Sequence, residues 1–495
     1  MTNQSASESA GLASAVKSGL AWSFLNNVSG RLISLAMGVV LARLLAPRDF
    51  GVFALAMVAL NTLVSINDVG ISATLVRWPG NTDEVAPTAG TLILSMSLVG
   101  YIVFFFATPW LCRLVHTPQA TGVIRLLAVA VVIDGALAVP TASLTRSFRQ
   151  GRRTVADVIG IVISAVVSIV LAAKGYGPWS LAWGRIAGNS VNAGLIAVFA
   201  QERIRFGFEI KAARALLAYG VPLAGSTLLT VAVLNTDYVV IGRLLGPTAL
   251  GFYVLAYNIS SWAVGFLSIG IQRVSIPAFA RLQYDVDSLN ESFTRGMVLL
   301  VVVTIPVCVL LSSLAHPVIA FVYGQRWGPA ASALRFLALF AIVRILQSLA
   351  YDALVAVGQA KSTVWLQGAW LSSLIPVLAI GAHLGGIRGV SVGHLAVGAL
   401  VVVPLHLLVL RQIGIQLGGL GRRLVWPVVG GAMAVSGSLV SLMVAPQVAK
   451  LFVGGGVGLA AYGLTILPMR AFLRGGGRID SAASPLPSES GVSTS

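Results

Sequence analysis

The chain has 495 residues, of which 57% are hydrophobic and only 10% charged. A soluble globular chain carries about 25% charged residues, so this one could not cover its own surface in water. A soluble enzyme, a disordered chain and a disulfide-stapled secreted scaffold are excluded. Lys and Arg outnumber Asp and Glu 33 to 16, for a net charge of +17. In so apolar a chain that excess reads as loop charge on one side of a membrane rather than as nucleic-acid binding. The two cysteines, Cys112 and Cys308, lie in apolar runs and support neither a disulfide framework nor a zinc site.

Residues 1–17 are polar and small, and form a tail without the basic n-region and short apolar run of a removable signal peptide. A membrane helix needs about 20 mostly apolar residues. Such segments are expected at 20–45, 51–77, 89–112, 123–144, 154–173 and 179–200, which form a first lobe over 18–200. A linker at 201–215 precedes six more at 216–243, 249–276, 294–323, 331–357, 362–384 and 390–410, a second lobe over 216–410. Two further segments, 424–446 and 450–469, fall within 411–469, and a Ser/Pro/Gly-rich tail at 470–495 is expected to be disordered. The fold class is therefore an all-α polytopic membrane protein with about 14 transmembrane helices. Turn chemistry separates the segments at Ala46-Pro47-Arg48-Asp49, Lys174-Gly175-Tyr176-Gly177-Pro178 and Gly385-Gly386-Ile387-Arg388-Gly389. Pro140, Pro222, Pro306 and Pro376 fall inside segments and predict kinks.

Fourteen spans put both termini on one side. That side receives roughly 20 of the Lys and Arg residues and the other roughly 10. The densest groups are Arg146, Arg149, Arg152 and Arg153, then Arg203, Arg205, Lys211 and Arg214, then Arg411, Arg422 and Arg423. Both termini are accordingly expected in the cytoplasm.

Residues 39–58 read VVLARLLAPRDFGVFALAMV and residues 239–258 read VVIGRLLGPTALGFYVLAYN, identical at nine positions at an offset of 200. The shared positions include Arg43/Arg243, Pro47/Pro247 and Gly51/Gly251. Six expected helices separate the copies. An even number returns the second copy in the same orientation, which gives a parallel repeat of two six-helix lobes. Transporters are commonly built this way, with the substrate path between the lobes.

The same residues carry a resemblance. Val39 to Gly51, Asp68-Val69-Gly70-Ile71, Leu234-Asn235-Thr236-Asp237, Arg243-Leu244-Leu245-Gly246 and Leu255-Ala256-Tyr257-Asn258 match a set of family motifs. Pro277 to Gln283 and Val322-Tyr323-Gly324-Gln325-Arg326-Trp327 complete that set. The chain resembles the oligosaccharide flippases of the polysaccharide-transport branch of the multidrug/oligosaccharidyl-lipid/polysaccharide exporter superfamily, and most closely the Wzx-type colanic-acid flippases. The likeness covers roughly residues 15–410; the last two segments carry no matching motif. It implies two six-helix lobes in a V, alternating access, and export of a polyprenyl-diphosphate-linked oligosaccharide across the bacterial cytoplasmic membrane. Membrane lipid is the other implied partner, with polysaccharide polymerase machinery downstream and no nucleic acid. A multidrug/cation antiporter or a lipid II-type flippase of the same superfamily is the alternative. A membrane polysaccharide polymerase is disfavoured by the lack of a large extramembrane loop, and no enzyme is expected.

Chemistry must come from polar residues inside the spans, where an ion costs about 2.5–3.5 kcal/mol on insertion scales. Asn27, Arg31 and Ser34 share one helical face, as do Arg185, Asn189 and Asn192, and Arg344, Gln347 and Tyr351. Arginine forks suit a diphosphate and side-chain amides suit sugar hydroxyls, so these stripes are the expected headgroup site. Structural pairing or snorkelling is the competing role for each arginine. Asp68 lies on a polar face with Asn61, Ser65 and Ser72. With Asp134 and Asp237 it is a candidate for coupling to a proton or sodium gradient, a structural ion pair being the alternative. Asp157 and Asp352 lie near segment ends and read as interfacial. The five histidines have no metal-ligand spacing, and no cofactor or metal is expected.

Overall fold

A computed structural model describes residues 28–68, 82–146, 150–200, 207–282, 286–416, 418–444 and 447–470, with Asn26, Ile71, Thr74 and Leu75. No strand occurs among them. The first half contains α1 (28–44), α2 (Pro47–Asp68), α3 (Thr82–Leu114), α4 (Ala120–Ala136), α5 (Ala138–Arg146), α6 (Gln150–Ala173) and α7 (Pro178–Ala200). The second contains α8 (Ile210–Leu244), α9 (Gly246–Leu282), α10 (Val286–Ser313), α11 (Ala315–Val322), α12 (Ala330–Ala356), α13 (Ala360–Val397) and α14 (Val403–Gln412). The last two helices are α15 (Leu420–Val444) and α16 (Gln447–Ile466).

The breaks follow the local chemistry. α4 and α5 form one expected span bent by 52°. Leu137 stands at the bend, and Pro140 is accommodated in the first turn of α5, where its missing N–H costs least. α13 folds back on itself at Gly385 and Gly386, the latter at φ 56. Only glycine takes that conformation freely, so α13 is two antiparallel runs, as the Gly-Gly turn predicted.

Among the described residues nine helices are long and apolar enough to cross a membrane, or ten if the bent pair is one span. One of the nine runs from Ser362 to Gln412 and contains the Gly385–Gly386 reversal. The expected total of fourteen is not reached on length and apolarity alone. α7 falls short because Arg185, Asn189 and Asn192 dilute its hydropathy.

Buried residues form one core within the first half and a larger one in the second half that also takes in Ala42, Ala54 and Leu55 of the first. Val52, Leu60, Val123, Leu127, Val131 and Ala182 join α2, α4 and α7 in one core. In the second half a core runs from Ile241 and Tyr253 to Trp327, Leu337 and Leu374. α15 and α16 pack on α10: the Tyr462 hydroxyl donates to the Val302 carbonyl at 2.7 Å, and Ser438 donates to Ser313 at 2.9 Å.

The two halves meet through the sequence repeat itself. The Pro247 carbonyl fills the space a Cβ on Gly51 would need, and the Pro47 carbonyl does the same at Gly251. Equivalent positions of the two copies thus cross in reciprocal contact, and any side chain at either glycine would part them. The contact continues into helix ends. The last carbonyls of an α-helix have no partner within it. The Ala42 carbonyl at the end of α1 accepts from Trp327 Nε1 at 2.7 Å and from Arg326, which also donates to the Leu45 carbonyl. In return Arg43 donates to the carbonyls of Phe321 and Val322, at 3.2 and 3.1 Å, at the end of α11. Each half therefore caps a helix C-terminus of the other with a cation, the sign the helix dipole favours. Trp327 is fully buried, with the rings of Phe50 and Phe252 edge-on to it at 5.2 and 5.9 Å.

Candidate functional site

Alongside this junction lies a cavity of about 820 Å³. Its walls come from both halves: Arg31 and Ser34 of α1, Asp157 and Ser164 of α6, Arg185, Asn189 and Asn192 of α7, Tyr238 of α8 and Asn258 of α9. The α7 stripe reaches it because residues four and seven apart share a helical face. The Arg31 guanidinium spans the gap between halves and lies against Gly265 of α9.

A second cavity of about 560 Å³ shares Asp157, Asn189 and Asn192 with the first and continues to Asn67, Ser97, Asp134, Thr141 and Thr145. Asp157 is the hinge between them. Its carboxylate accepts from Asn26 Nδ2 at 2.8 Å and Asn192 Nδ2 at 2.9 Å, with Arg153 Nε at 3.9 Å. Asn189 Nδ2 reaches Asp134 at 3.4 Å. Asn67 is 4% exposed and its amide nitrogen has no partner, which leaves a donor at the back of the second cavity.

Arg344 and Asp237 stand elsewhere, in a buried cluster of the second half. Arg344 donates to the Ser261 hydroxyl at 3.1 Å and lies 5.1 Å from the centre of the Tyr257 ring. Asp237 accepts from the Tyr253 hydroxyl at 2.8 Å and from the Tyr238 amide at 2.9 Å. Gln347 is one turn from Arg344 on α12 and lines neither cavity. The side chain of Asp68 and the whole of Asn27 lie outside the described residues.

Of the expected headgroup residues, then, Arg31, Arg185, Asn189 and Asn192 share one cavity, while Arg344 and Gln347 are apart from it. Asp157 read as interfacial from its place near a helix end, yet it lies in the walls of both cavities. The tyrosine cluster went unread; its signal was Tyr253 and Tyr257 four residues apart on one face. No group of three His, Cys, Asp or Glu able to hold a metal occurs among the described residues.

A family model described as polysaccharide biosynthesis protein matches residues 40–332, more than half of the chain. The chain belongs to this family. It is 25% identical over 355 residues to the succinoglycan biosynthesis transport protein ExoT of Rhizobium meliloti, covering 71% of this chain and 72% of that protein. It is 23% identical over 406 residues to the lipopolysaccharide biosynthesis protein WzxC of Escherichia coli, covering 80% and 81%. Its fold is that of a solved lipid II flippase MurJ in an inward closed conformation, at TM-score 0.77 and 13% identity, over 91% of this chain and 100% of that one. An inward-facing multidrug resistance MATE transporter of the MOP superfamily follows at TM-score 0.62 and 18% identity, over 78% and 95%. The family member described here is thus a multi-span helical membrane protein with a transporter fold. The matched region ends after Trp327, so the Arg326–Trp327 caps fall within it.

Proposed function

We propose that the protein flips a polyprenyl-diphosphate-linked oligosaccharide from the cytoplasmic to the outer leaflet of the bacterial inner membrane. Alternating access carries the cargo, which then enters exopolysaccharide, O-antigen or capsule assembly. Family membership and the transport and biosynthesis roles in the relatives' names support this reading. One observation carries it: a cavity between the halves lined by two arginines and by the Asn189–Asn192 amides. A diphosphate needs compensating positive charge to leave water, and arginine supplies it as a planar fork. Arg31 and Arg185 take the phosphates. Asn189, Asn192 and the second cavity beyond them take sugar hydroxyls, which pair with both amides and carboxylates. Asn27 extends the amide set, and Arg344, outside the cavity walls, adds a cation on the side of the second half. Asp68, Asp134 and Asp237 remain the coupling carboxylates for a proton or sodium gradient. Both termini lie in the cytoplasm, and a polymerase consumes the exported unit.

The reading as a multidrug/cation antiporter shares the fold, but two arginines in the cavity wall oppose a cationic cargo. Replacement of the chromosomal gene by Arg31→Ala or Arg185→Ala tests the choice. Cells are expected to keep normal amounts of inserted protein, lose extracellular polymer at least tenfold, and accumulate the lipid-linked unit in the inner leaflet. Normal polymer export in a strain lacking the protein altogether would sink the flippase reading.

A further inference from the structure

The two joined cavities differ in charge. Arg31 and Arg185 line the first. Among the described residues Arg153 is the one cation in the wall of the second, and it is already committed: Nη1 donates to the Thr145 hydroxyl at 2.9 Å, and Nε stands 3.9 Å from Asp157. Asp134, in the same wall, is approached by Asn189 Nδ2 at 3.4 Å. Arg185 lies within electrostatic reach of Asp134 but lines only the first cavity.

The back of the second cavity is built to present polar groups. Asn67 of α2 and Ser97 of α3 both line it, at 4% and 1% exposed. Each is seated on a glycine of the next helix or of α3 itself: a Cβ on Gly100 would strike the Asn67 amide, and one on Gly135 the Ser97 hydroxyl. Asn67 Nδ2 has no partner. A buried donor left unpaired weakens a fold, so its position at a cavity wall points to an acceptor on a ligand. Val64, Val131 and Ile196 line much of the rest, and among the described residues no aromatic ring does. A nucleobase would want such a ring to stack on. A pyranose needs none, because its C–H patches pack on aliphatic side chains while its hydroxyls donate and accept.

We infer that the second cavity is a selectivity subsite for the sugar bonded directly to the diphosphate, and that it takes a neutral sugar and turns away an acidic one. The inference rests on the flippase reading and narrows the class of cargo within it. Asp157, Asn189 and Asn192 belong to both walls. The ring that enters the second cavity is therefore the one next to the phosphates held by Arg31 and Arg185. A neutral ring gives an oxygen to Asn67 Nδ2 and donates a hydroxyl to Asp134. A uronic acid brings its carboxylate toward Asp134 while Arg153 is held elsewhere, and like charges repel strongly where water is scarce. Acidic sugars further along the oligosaccharide do not meet this wall.

Equilibrium binding to the purified full-length protein, measured by thermophoresis, tests the subsite without transport. The probes are farnesyl diphosphate alone and farnesyl diphosphate carrying glucose, galactose, glucuronic acid or galacturonic acid. At least one neutral sugar is expected to tighten binding about tenfold over the bare diphosphate, the worth of one or two hydrogen bonds. Its matching uronic acid is expected to add nothing. Asn67→Leu keeps the volume and removes the donor. It is expected to erase the neutral-sugar gain without lowering the melting temperature, since it discards an unpaired group. Asp134→Asn is expected to let the uronic acid probe bind more tightly than the bare diphosphate. Equal binding of a neutral sugar and its uronic acid by the wild type would overturn the charge selection, as would a uronic acid still rejected by Asp134→Asn. A gain that survives in Asn67→Leu, or a lower melting temperature in that variant, would overturn the role of Asn67; the wild-type series and Asp134→Asn decide the charge selection without it. Failure of bare farnesyl diphosphate to bind would sink the flippase reading and the subsite with it. Its binding with no gain from either neutral sugar would sink the subsite alone.

Discussion

The reciprocal caps between the halves should hold the transporter closed at the end that bears Pro47 and Pro247. Trp327→Phe removes one neutral hydrogen bond, from Nε1 to the Ala42 carbonyl, and leaves an aromatic ring against Phe50 and Phe252. Such a bond is worth about 1 kcal/mol, which is roughly fivefold in a two-state equilibrium. Arg326→Ala removes two bonds from a cation, to the carbonyls of Ala42 and Leu45. Arg326 is exposed, so water offsets much of their strength, and about 2 kcal/mol in total is a fair figure. That is roughly thirtyfold. All three bonds exist only while the two helix ends are together, so their loss should raise the separated population by those factors. Spin labels at cysteines replacing Arg48 and Thr248, both exposed, would report the distance between the ends by double electron–electron resonance. The native Cys112 and Cys308 are buried and should stay unlabelled. The expected order of separated fraction is wild type, then Trp327→Phe, then Arg326→Ala. Identical distance distributions in all three, or a larger effect from the phenylalanine, would refute the capping argument.

Gly51→Ala and Gly251→Ala should each part the same ends, because the opposing proline carbonyl already occupies the Cβ position; overpacking of this kind costs about 1–3 kcal/mol. The labelled pair should then show a longer mean distance, and an unchanged distance would mean that the backbone yields instead. Arg31→Lys should restore only part of the export lost in Arg31→Ala, since an ammonium keeps the charge but not the fork; full rescue, scored as extracellular polymer per cell, would reduce Arg31 to a point charge. Reporter fusions at Gly151 and Ser481 should behave alike and one at Lys174 oppositely. Matching signals from Gly151 and Lys174 would break the fourteen-span topology.

Much of the site was legible because it sits on single helices. Arg185, Asn189 and Asn192 share a face by helical spacing alone, and α7 delivers all three to one cavity. Arg31 was legible as a charge in an apolar run. Its partner across the gap, Gly265, was not, since nothing in the sequence marks which glycine meets a guanidinium. Arg344 was expected in the same headgroup site as Arg31 because each lies on a polar face of an apolar segment. Burial of Arg344 among Ser261, Tyr257 and its neighbours sets it apart from the cavity wall.

The sequence by itself determined the solvent, the helical class, the parallel repeat and the polar faces. Each of these follows from local composition or from a periodicity of one helix. It also marked Gly386 as a reversal, because a left-handed turn can be read from its own residues. Only the tertiary structure decided which end of the repeat closes, that Arg326 and Trp327 cap α1, and that Asn67 meets Gly100 at the back of the second cavity. Those contacts join residues far apart in the chain, and each depends on how helices are rotated against one another. Rotation is fixed by the whole set of packed side chains, so no segment specifies it alone.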